Sequence, residues 1–200
     1  MADAGRVIAG SAKGVRLAAP GPGTRPLADR VKQTLFAVLE PELEGAVVLD
    51  LFAGSGAGGI EALSRGAARA VFVEKDGGAT QVIVENLRRA RLSAAGTVVR
   101  RDVASWLADP AGAAASGPFD VVVMDPPYAD TDALLHALEL VGPHLASQGV
   151  VVAKHFWRDA PAAVAGLLAS VRERRFGETA LTFYRRRDAA PPELEEAVES

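Results

Sequence analysis

The feature that most constrains the fold is a short apolar segment followed by a glycine-rich turn and a helical pattern. Residues 47–52 are apolar apart from Asp50, which is typical of a strand buried on both faces of a sheet. Residues 53–59 then include four glycines, and residues 60–63 favour a helix. Glycine lets the backbone approach a ligand closely, and the start of a helix offers free amide groups. This segment therefore predicts an α/β fold with a ligand site at the end of the strand.

Strand and helix patterns alternate through the rest of the chain. This alternation predicts a three-layer α/β fold with a mostly parallel sheet between helices. The last two predicted strands flank Gly177 and form an antiparallel pair. Seven strands are predicted, at residues 47–52, 70–73, 97–100, 121–124, 149–153, 172–176 and 179–185. Further helices are predicted from about residue 28 to Pro41 and at residues 76–92, 131–145 and 160–169.

Two different segments flank this body. Residues 6–10 and 14–17 predict a small β-hairpin, which a proline- and glycine-rich linker follows. The C-terminal residues contain five acidic side chains and no basic one, which is typical of a disordered tail. We therefore predict three parts: the hairpin and linker at residues 1–27, the α/β domain at residues 28–187, and the acidic tail at residues 188–200.

Composition argues against several classes of protein. The chain has no run of eighteen or more apolar residues, no apolar N-terminal segment of the kind that directs secretion, and no cysteine. Its three histidines, His136, His144 and His155, are scattered. We expect a cytoplasmic protein without a membrane span, a disulfide or a metal site. A single small domain also favours a monomer.

The basic residues are concentrated near the N-terminus. Residues 1–32 carry six basic and two acidic side chains, although the whole chain has a net charge of −3. A basic arm on an acidic body indicates an anionic partner, and a solvated surface is the alternative. If that partner is the RNA implied by the family resemblance described below, the candidates for phosphate contacts are Arg6, Lys13, Arg16, Arg25 and Arg30. Arg25 and Arg30 lie nearest the body and could instead pair with its carboxylates.

The strand predicted at residues 121–124 is followed directly by an Asp-Pro-Pro-Tyr sequence. Proline cannot continue the hydrogen-bonded ladder, so the strand stops there. The sequence therefore holds a carboxylate, a carbonyl that precedes a proline and an aromatic ring at the carboxyl end of a strand, where ligands bind in open α/β sheets. The candidate catalytic residues are Asp125, Pro126, Pro127 and Tyr128.

The glycine turn fits two kinds of ligand. The glycine spacing, with Glu74 about twenty residues after it, matches a dinucleotide-binding pattern. Asp50, however, would repel a pyrophosphate and suits a cationic ligand such as the sulfonium and ammonium of S-adenosylmethionine. Glu74 could accept hydrogen bonds from ribose hydroxyls, and Asp102 could accept from an adenine amine, cap the following helix, or do both. The cofactor candidates are Asp50, Leu51, Phe52, Ala53, Gly54, Gly56, Glu74, Lys75, Asp102 and Val103.

Together these motifs resemble a known family. Asp-Leu-Phe-Ala-Gly-Ser-Gly from Asp50 and Asp-Pro-Pro-Tyr from Asp125 resemble the S-adenosylmethionine-dependent amino-methyltransferases. Residues 5–187 are more narrowly similar to the RsmD family, which methylates the N2 amine of one guanine in 16S ribosomal RNA. The segments that carry this likeness are Arg-Val-Ile-Ala-Gly at residues 6–10, Thr-Arg-Pro at 24–26, Asp-Arg-Val at 29–31, Gly-Ile-Glu-Ala-Leu-Ser-Arg-Gly-Ala at 59–67 and Phe-Val-Glu-Lys-Asp at 72–76.

The resemblance implies a Rossmann-like class I methyltransferase fold, S-adenosylmethionine as the cofactor and 16S rRNA of the small ribosomal subunit as the substrate. It implies that Asp125 and the Pro126 carbonyl orient the amine while Tyr128 stacks on the base. One departure is Lys154, since a glutamate before the histidine is expected in many relatives. We interpret His155 itself as structural.

Two other functions fit the same motifs. Asp-Pro-Pro-Tyr also occurs in DNA and protein-glutamine amino-methyltransferases, although the short hairpin and the absence of a large recognition domain argue against sequence-specific DNA reading. The other alternative is a non-catalytic RNA-binding protein on a nucleotide-binding fold.

Overall fold

The computed structural model describes residues 3–21, 29–109, 111–127 and 130–189. Its strands are β1 (Asp3–Arg6), β2 (Arg16–Ala18), β3 (Val47–Leu51), β4 (Arg69–Glu74), β5 (Gly96–Arg100), β6 (Phe119–Met124), β7 (Leu145–Phe156), β8 (Val164–Ala165), β9 (Leu168–Phe176) and β10 (Thr179–Arg186). Its α-helices are α1 (Asp29–Leu39), α2 (Ala57–Ser64), α3 (Gly77–Ala90), α4 (Val103–Leu107), α5 (Ala113–Ser116) and α6 (Thr131–Val141). In the described ranges, no helix is long and apolar enough to span a membrane.

A single sheet in the order β5-β4-β3-β6-β7-β10-β9-β8 organises the body. The five strands from β5 to β7 are parallel, and β10, β9 and β8 are antiparallel to their neighbours. The strand order reverses between β3 and β6, because the chain proceeds outward in one direction through β4 and β5 and then in the other through β6 and β7. A crevice at such a reversal, outside the carboxyl ends of the strands, is where ligands bind in this class of fold.

The predicted mostly parallel sheet is confirmed, but the helix predicted at residues 160–169 is wrong. That segment forms β8, a tight turn and the start of β9, which adds an eighth strand to the seven predicted. Gly166 explains the difference: its φ of +54° suits a turn, and a Cβ there would lie 2.7 Å from the Glu139 carbonyl oxygen on α6. The backbone therefore approaches α6 more closely than a side chain would permit.

Apolar side chains fill both faces of the sheet. Phe36 of α1, Ile60 of α2 and Ile83 of α3 pack with the hairpin on one face. Trp106 of α4 and Leu138 of α6 pack on the other. Because both faces are covered, the four inner parallel strands contain nearly continuous apolar residues, as the sequence indicates.

The predicted hairpin is present, with shifted strands. Its paired strands are β1 and β2 rather than residues 6–10 and 14–17. The reason is that the backbone after Val7 turns toward α2: the amides of Ile8 and Ala9 donate hydrogen bonds of 2.7 and 3.0 Å to the buried Glu61 carboxylate. The hairpin is thus fixed to the body by charge-assisted hydrogen bonds. Residues 22–27 of the predicted linker and residues 190–200 of the predicted tail lie outside the described residues.

Candidate active site

Four adjacent parallel strands bring the predicted site residues to one edge of the sheet. Asp50 and Leu51 end β3, Glu74 ends β4, Asp102 follows β5 and Asp125 follows β6. The parallel register aligns these ends, since Leu51 pairs with Met124 on one side and Val73 on the other. Segments that are up to 75 residues apart in the chain therefore meet at the reversal of strand order.

The turn after β3 has an unusual backbone. Phe52 adopts a φ of 58°, which is rare for a residue with a side chain, and Gly54 and Gly56 have φ values of 53° and 76°. On the inner side of the turn, a Cβ at Gly59 would lie 2.4 Å from the Phe72 ring. On the other side, among the residues that the structure describes, a Cβ at Gly54 would have only the Phe52 carbonyl oxygen within 4 Å, at 3.9 Å. The glycine turn is therefore tightly packed on the side that faces Phe72 and open on the opposite side, at Gly54.

Glu74 connects the ends of two strands. Its Oε2 accepts a hydrogen bond of 2.9 Å from the Gly54 amide, and its Oε1 accepts one of 2.9 Å from the Asp76 amide. The carboxylate consequently lies at the open side of the glycine turn, where the sequence predicts a ribose. Lys75 is exposed beside it.

Asp50 lies beneath the glycine turn and is only 2% exposed. Its Oδ2 accepts a hydrogen bond of 2.7 Å from the Gly59 amide at the start of α2. Burial raises the pKa of Asp50 from its ordinary value of 3.8 to about 8, with the Gly59 hydrogen bond opposing and the charges of Asp125 and Glu74 adding to the rise. Asp50 therefore supports the turn from inside rather than lining the crevice.

Asp102 caps helix α4, which is one of the two roles predicted for it. Its Oδ1 accepts hydrogen bonds from the Ser105 amide at 3.0 Å and the Ser105 hydroxyl at 3.1 Å. The Ser105 amide is the main cause that lowers the pKa of Asp102. Asp102 remains exposed while the neighbouring Val103 is buried, so the adenine contact stays a prediction.

Asp125 follows β6 and makes a contact that the sequence analysis did not foresee. Its Oδ1 accepts a hydrogen bond from Nζ of Lys154 on β7. The side chains of Asp125 and Lys154 are 23% and 10% exposed, so the Asp125 carboxylate is still reachable from the crevice. Burial raises the pKa of Asp125, and the Lys154 ammonium opposes that rise. Pro126 is buried and Pro127 is exposed, whereas Tyr128 lies outside the described residues.

Two of the predicted RNA-binding residues, Arg6 and Arg16, lie opposite each other across the hairpin. Nε of Arg6 lies 3.4 Å from Asp29, and Nη1 of Arg16 lies 2.9 Å from Asp3. Lys13 and Arg30 are exposed. Arg25 lies outside the described residues. The pairs of Arg6 and Arg16 are solvent-exposed, so they would separate readily for a phosphate.

Two residues at the site were missed or unexplained. Asn86 on α3 donates a hydrogen bond of 2.9 Å to the Ser55 carbonyl in the glycine turn and exchanges two with Ala18 after the hairpin. Its only signal in the sequence is a polar side chain on the apolar face that contains Ile83 and Leu87. The sequence shows Lys154 only as a departure from the family pattern and carries no signal of its contact with Asp125.

His155 has the environment of a structural residue. It is 4% exposed, with Nδ1 donating to the Phe156 carbonyl at 2.9 Å and Nε2 paired with the Thr182 hydroxyl at 2.8 Å. Because β7 alternates its side chains, His155 lies on the face opposite Lys154 and Asp125. Among the described residues, no group of three or more histidine or carboxylate side chains could hold a metal ion.

Comparison with known proteins places this site in a family context. Residues 5–185 match the family described as Conserved hypothetical protein 95. A Bacillus subtilis (strain 168) protein named "Putative rRNA methyltransferase YlbH" is 37% identical over 185 residues, which cover 91% of this chain and 99% of that protein. Ribosomal RNA small subunit methyltransferase D of Escherichia coli (strain K12) is 42% identical over 124 residues, 62% of this chain and 60% of that protein.

The fold is also that of known methyltransferases. A solved structure titled "Putative methyltransferase yhhF from Escherichia coli" is 32% identical, with a TM-score of 0.78, and the match covers 90% of this chain and 97% of that one. The strand order and these structural neighbours confirm the predicted Rossmann-like class I methyltransferase fold. The chain belongs to the Conserved hypothetical protein 95 family, which is the RsmD family that its motifs resemble.

Proposed function

We propose that this protein transfers a methyl group from S-adenosylmethionine to the exocyclic N2 amine of a guanine in 16S rRNA of the small ribosomal subunit. The observation that carries the proposal is the position of Asp125 and Pro126 at the end of β6, directly beside the glycine turn that ends β3. Family membership supports the substrate class, since a relative is named for methylation of small-subunit ribosomal RNA.

The residues around the glycine turn fit the adenosyl cofactor. The backbone at Gly54 is open on the crevice side, and the Glu74 carboxylate beside it supplies the two acceptor oxygens that ribose hydroxyls require. Asp102 and the Val103 amide would contact adenine. Asp50 holds the turn from beneath through the Gly59 amide. When bound, the cofactor supplies a methyl group activated by its sulfonium.

Asp125 and the Pro126 carbonyl would act on the target amine. The lone pair of a guanine amine is delocalised into the ring, so the amine is a poor nucleophile. Two acceptors, each taking one N–H, would draw the nitrogen toward tetrahedral geometry and stabilise the positive charge that develops on it. The nitrogen forms the new N–C bond as the C–S bond breaks, and the surplus proton leaves to Asp125 or to water. Tyr128 would hold the base by stacking.

The substrate RNA would meet the site through the basic arm. The target base must leave its stack to reach Asp125, which requires contacts that hold the flanking backbone. Lys13, Arg16 and Arg30 are exposed near the N-terminus and would contact phosphates. The hydrogen bonds of the Ile8 and Ala9 amides to Glu61 of α2 support a fixed position of the hairpin residues Lys13 and Arg16 relative to the crevice.

A labelled-methyl transfer experiment tests the proposal. The protein would be incubated with labelled S-adenosylmethionine and with naked 16S rRNA, assembled small subunits, duplex DNA or a release factor. We expect label in ribosomal RNA, recovered as N2-methylguanosine after digestion to nucleosides. Label in DNA or protein would establish one of the alternative methyltransferases. Binding of NADH without binding of S-adenosylmethionine would favour the non-catalytic alternative.

A further inference from the structure

We infer that Lys154 is a positioning residue for methyl transfer: its ammonium group holds Asp125 by Oδ1 and directs Oδ2 toward the target amine. This inference rests on the proposed function of Asp125. It concerns a residue that family resemblance does not explain, because the position departs from the glutamate expected in many relatives.

The sheet fixes the two side chains against each other. Met124 and Ala153 are paired in the parallel register of β6 and β7, so the next residues, Asp125 just after β6 and Lys154 within β7, lie at the same level. Lys154 is 8% exposed as a residue, and its hydrogen bond to Asp125 is partly buried. An enclosed lysine loses the freedom that makes surface ion pairs weak, so this contact constrains the orientation of the carboxylate.

The positive charge of Lys154 affects the protonation of Asp125. In the described part of the chain, Lys154 from β7 is the charged group that acts on Asp125. Asp50 on β3 is a titratable neighbour whose pKa the Asp125 charge helps to raise. Because its pKa is raised to about 8, Asp50 is largely uncharged at lower pH and adds little repulsion there. Burial disfavours the ionised form of Asp125, whereas the Lys154 ammonium opposes this effect and favours the ionised form.

Ionisation of Asp125 determines what it can do to the amine. An ionised carboxylate accepts N–H bonds with either oxygen, whereas a protonated one has fewer acceptor sites and carries no charge to stabilise the amine as it becomes cationic. Lys154 therefore sets the pH range in which the proposed catalytic group is active. It does so without contacting the substrate.

The test is the pH dependence of single-turnover methyl transfer to 16S rRNA under saturating cofactor. Lys154→Met should move the acidic limb of the pH–rate profile, where the rate falls as the pH falls, to higher pH by about one unit or more. The reason is that an opposite charge in contact with a carboxyl group lowers its pKa by roughly 1–3 units. Lys154→Arg retains the positive charge and should keep the limb near its wild-type position. Arg88→Met removes a positive charge from an exposed ion pair on α3 and should leave the profile unchanged.

Two results would overturn the inference. One is a Lys154→Met variant whose acidic limb coincides with that of the wild type. The other is a Lys154→Met variant that loses the same factor at every pH, with Lys154→Arg equally impaired, since this pattern indicates only structural damage. Thermal unfolding and calorimetric cofactor binding of each variant identify misfolding. If the wild type itself transfers no methyl group to RNA, the proposed function fails instead, so the two failures are distinguishable.

Discussion

Asn86 and Ala18 exchange two hydrogen bonds: the Ala18 amide donates to Asn86 Oδ1 at 2.8 Å, and Asn86 Nδ2 donates to the Ala18 carbonyl at 2.9 Å. The same Nδ2 donates to the Ser55 carbonyl at 2.9 Å. One fully buried amide thus joins the segment after the hairpin to the glycine turn. The segment that follows the hairpin and the glycine turn are consequently connected through a single side chain.

Asn86→Ala should therefore destabilise the protein by about 2–4 kcal/mol, since it leaves three backbone groups without their partner in the interior. Denaturant unfolding measures this loss, and limited proteolysis should show earlier cleavage near the N-terminus. Glu85→Ala, on the exposed side of the same helix, is the matched control and should cost under about 1 kcal/mol. Equal losses in the two variants would show that Asn86 does not join these segments.

Asp50 should make stability depend on pH. Because burial raises its pKa to about 8, the folded protein holds a proton that the unfolded chain releases above about pH 4. The free energy of unfolding contributed by Asp50 is therefore highest in acid and falls between about pH 4 and pH 8, by up to about 1.4 kcal/mol per pH unit.

Asp50→Asn cannot titrate and should remove this slope. Unfolding by urea at pH 5 and pH 8 measures it in both proteins. We expect the variant to gain stability relative to the wild type as the pH rises from 5 to 8. Identical changes in the two proteins between these pH values would contradict the assigned pKa.

Substitutions of two glycines in the turn test its packing and its access to a ligand separately. Gly59→Ala would place a Cβ 2.4 Å from the buried Phe72 ring, so we expect a loss of about 1–3 kcal/mol in stability. Gly54→Ala would place a Cβ in ordinary contact with the Phe52 carbonyl oxygen, at 3.9 Å, and should cost only about 1–2 kcal/mol, from its positive φ. It should nevertheless weaken cofactor binding by about tenfold or more, because its methyl group enters the crevice.

Calorimetry with S-adenosylmethionine and thermal unfolding measure both effects. If Gly54→Ala binds the cofactor as the wild type does, the crevice above Gly54 is not the cofactor site.

The basic arm should contribute to RNA affinity through phosphate contacts. Lys13→Glu should weaken binding to 16S rRNA and reduce the slope of log affinity against log salt concentration by about 1, as expected for one lost contact. Cofactor affinity should not change. Arg88→Glu, an equal change of charge on α3, serves as the control. Equal effects of the two substitutions would show that RNA affinity depends on the net charge of the protein and not on a contact made by Lys13.

The sequence predicts most of the sheet and of its site edge because both depend on local patterns. Apolar runs that stop at the glycine turn after Phe52, at Glu74 and at Asp125 mark strand ends, and parallel strands bring such ends together. The confirmed fold class follows from this alternation. The roles assigned to those residues remain predictions.

The features that escaped prediction depend on contacts between distant segments. The tight turn at Gly166 forms because the backbone packs against α6, and no local pattern records that approach. The ion pair between Lys154 and Asp125 depends on the register of β6 and β7. The burial of Asp50 beneath the turn likewise appears only when α2 is in place.

The central claim is that Asp125 acts on the amine and does not hold the cofactor. Asp125→Ala should bind S-adenosylmethionine with an affinity within a few fold of the wild type, measured by calorimetry. The same preparation should transfer methyl groups to 16S rRNA about 10²–10³-fold more slowly, the usual loss when a charge-stabilising group is removed. Transfer at the wild-type rate by Asp125→Ala, with cofactor binding intact, would contradict the account.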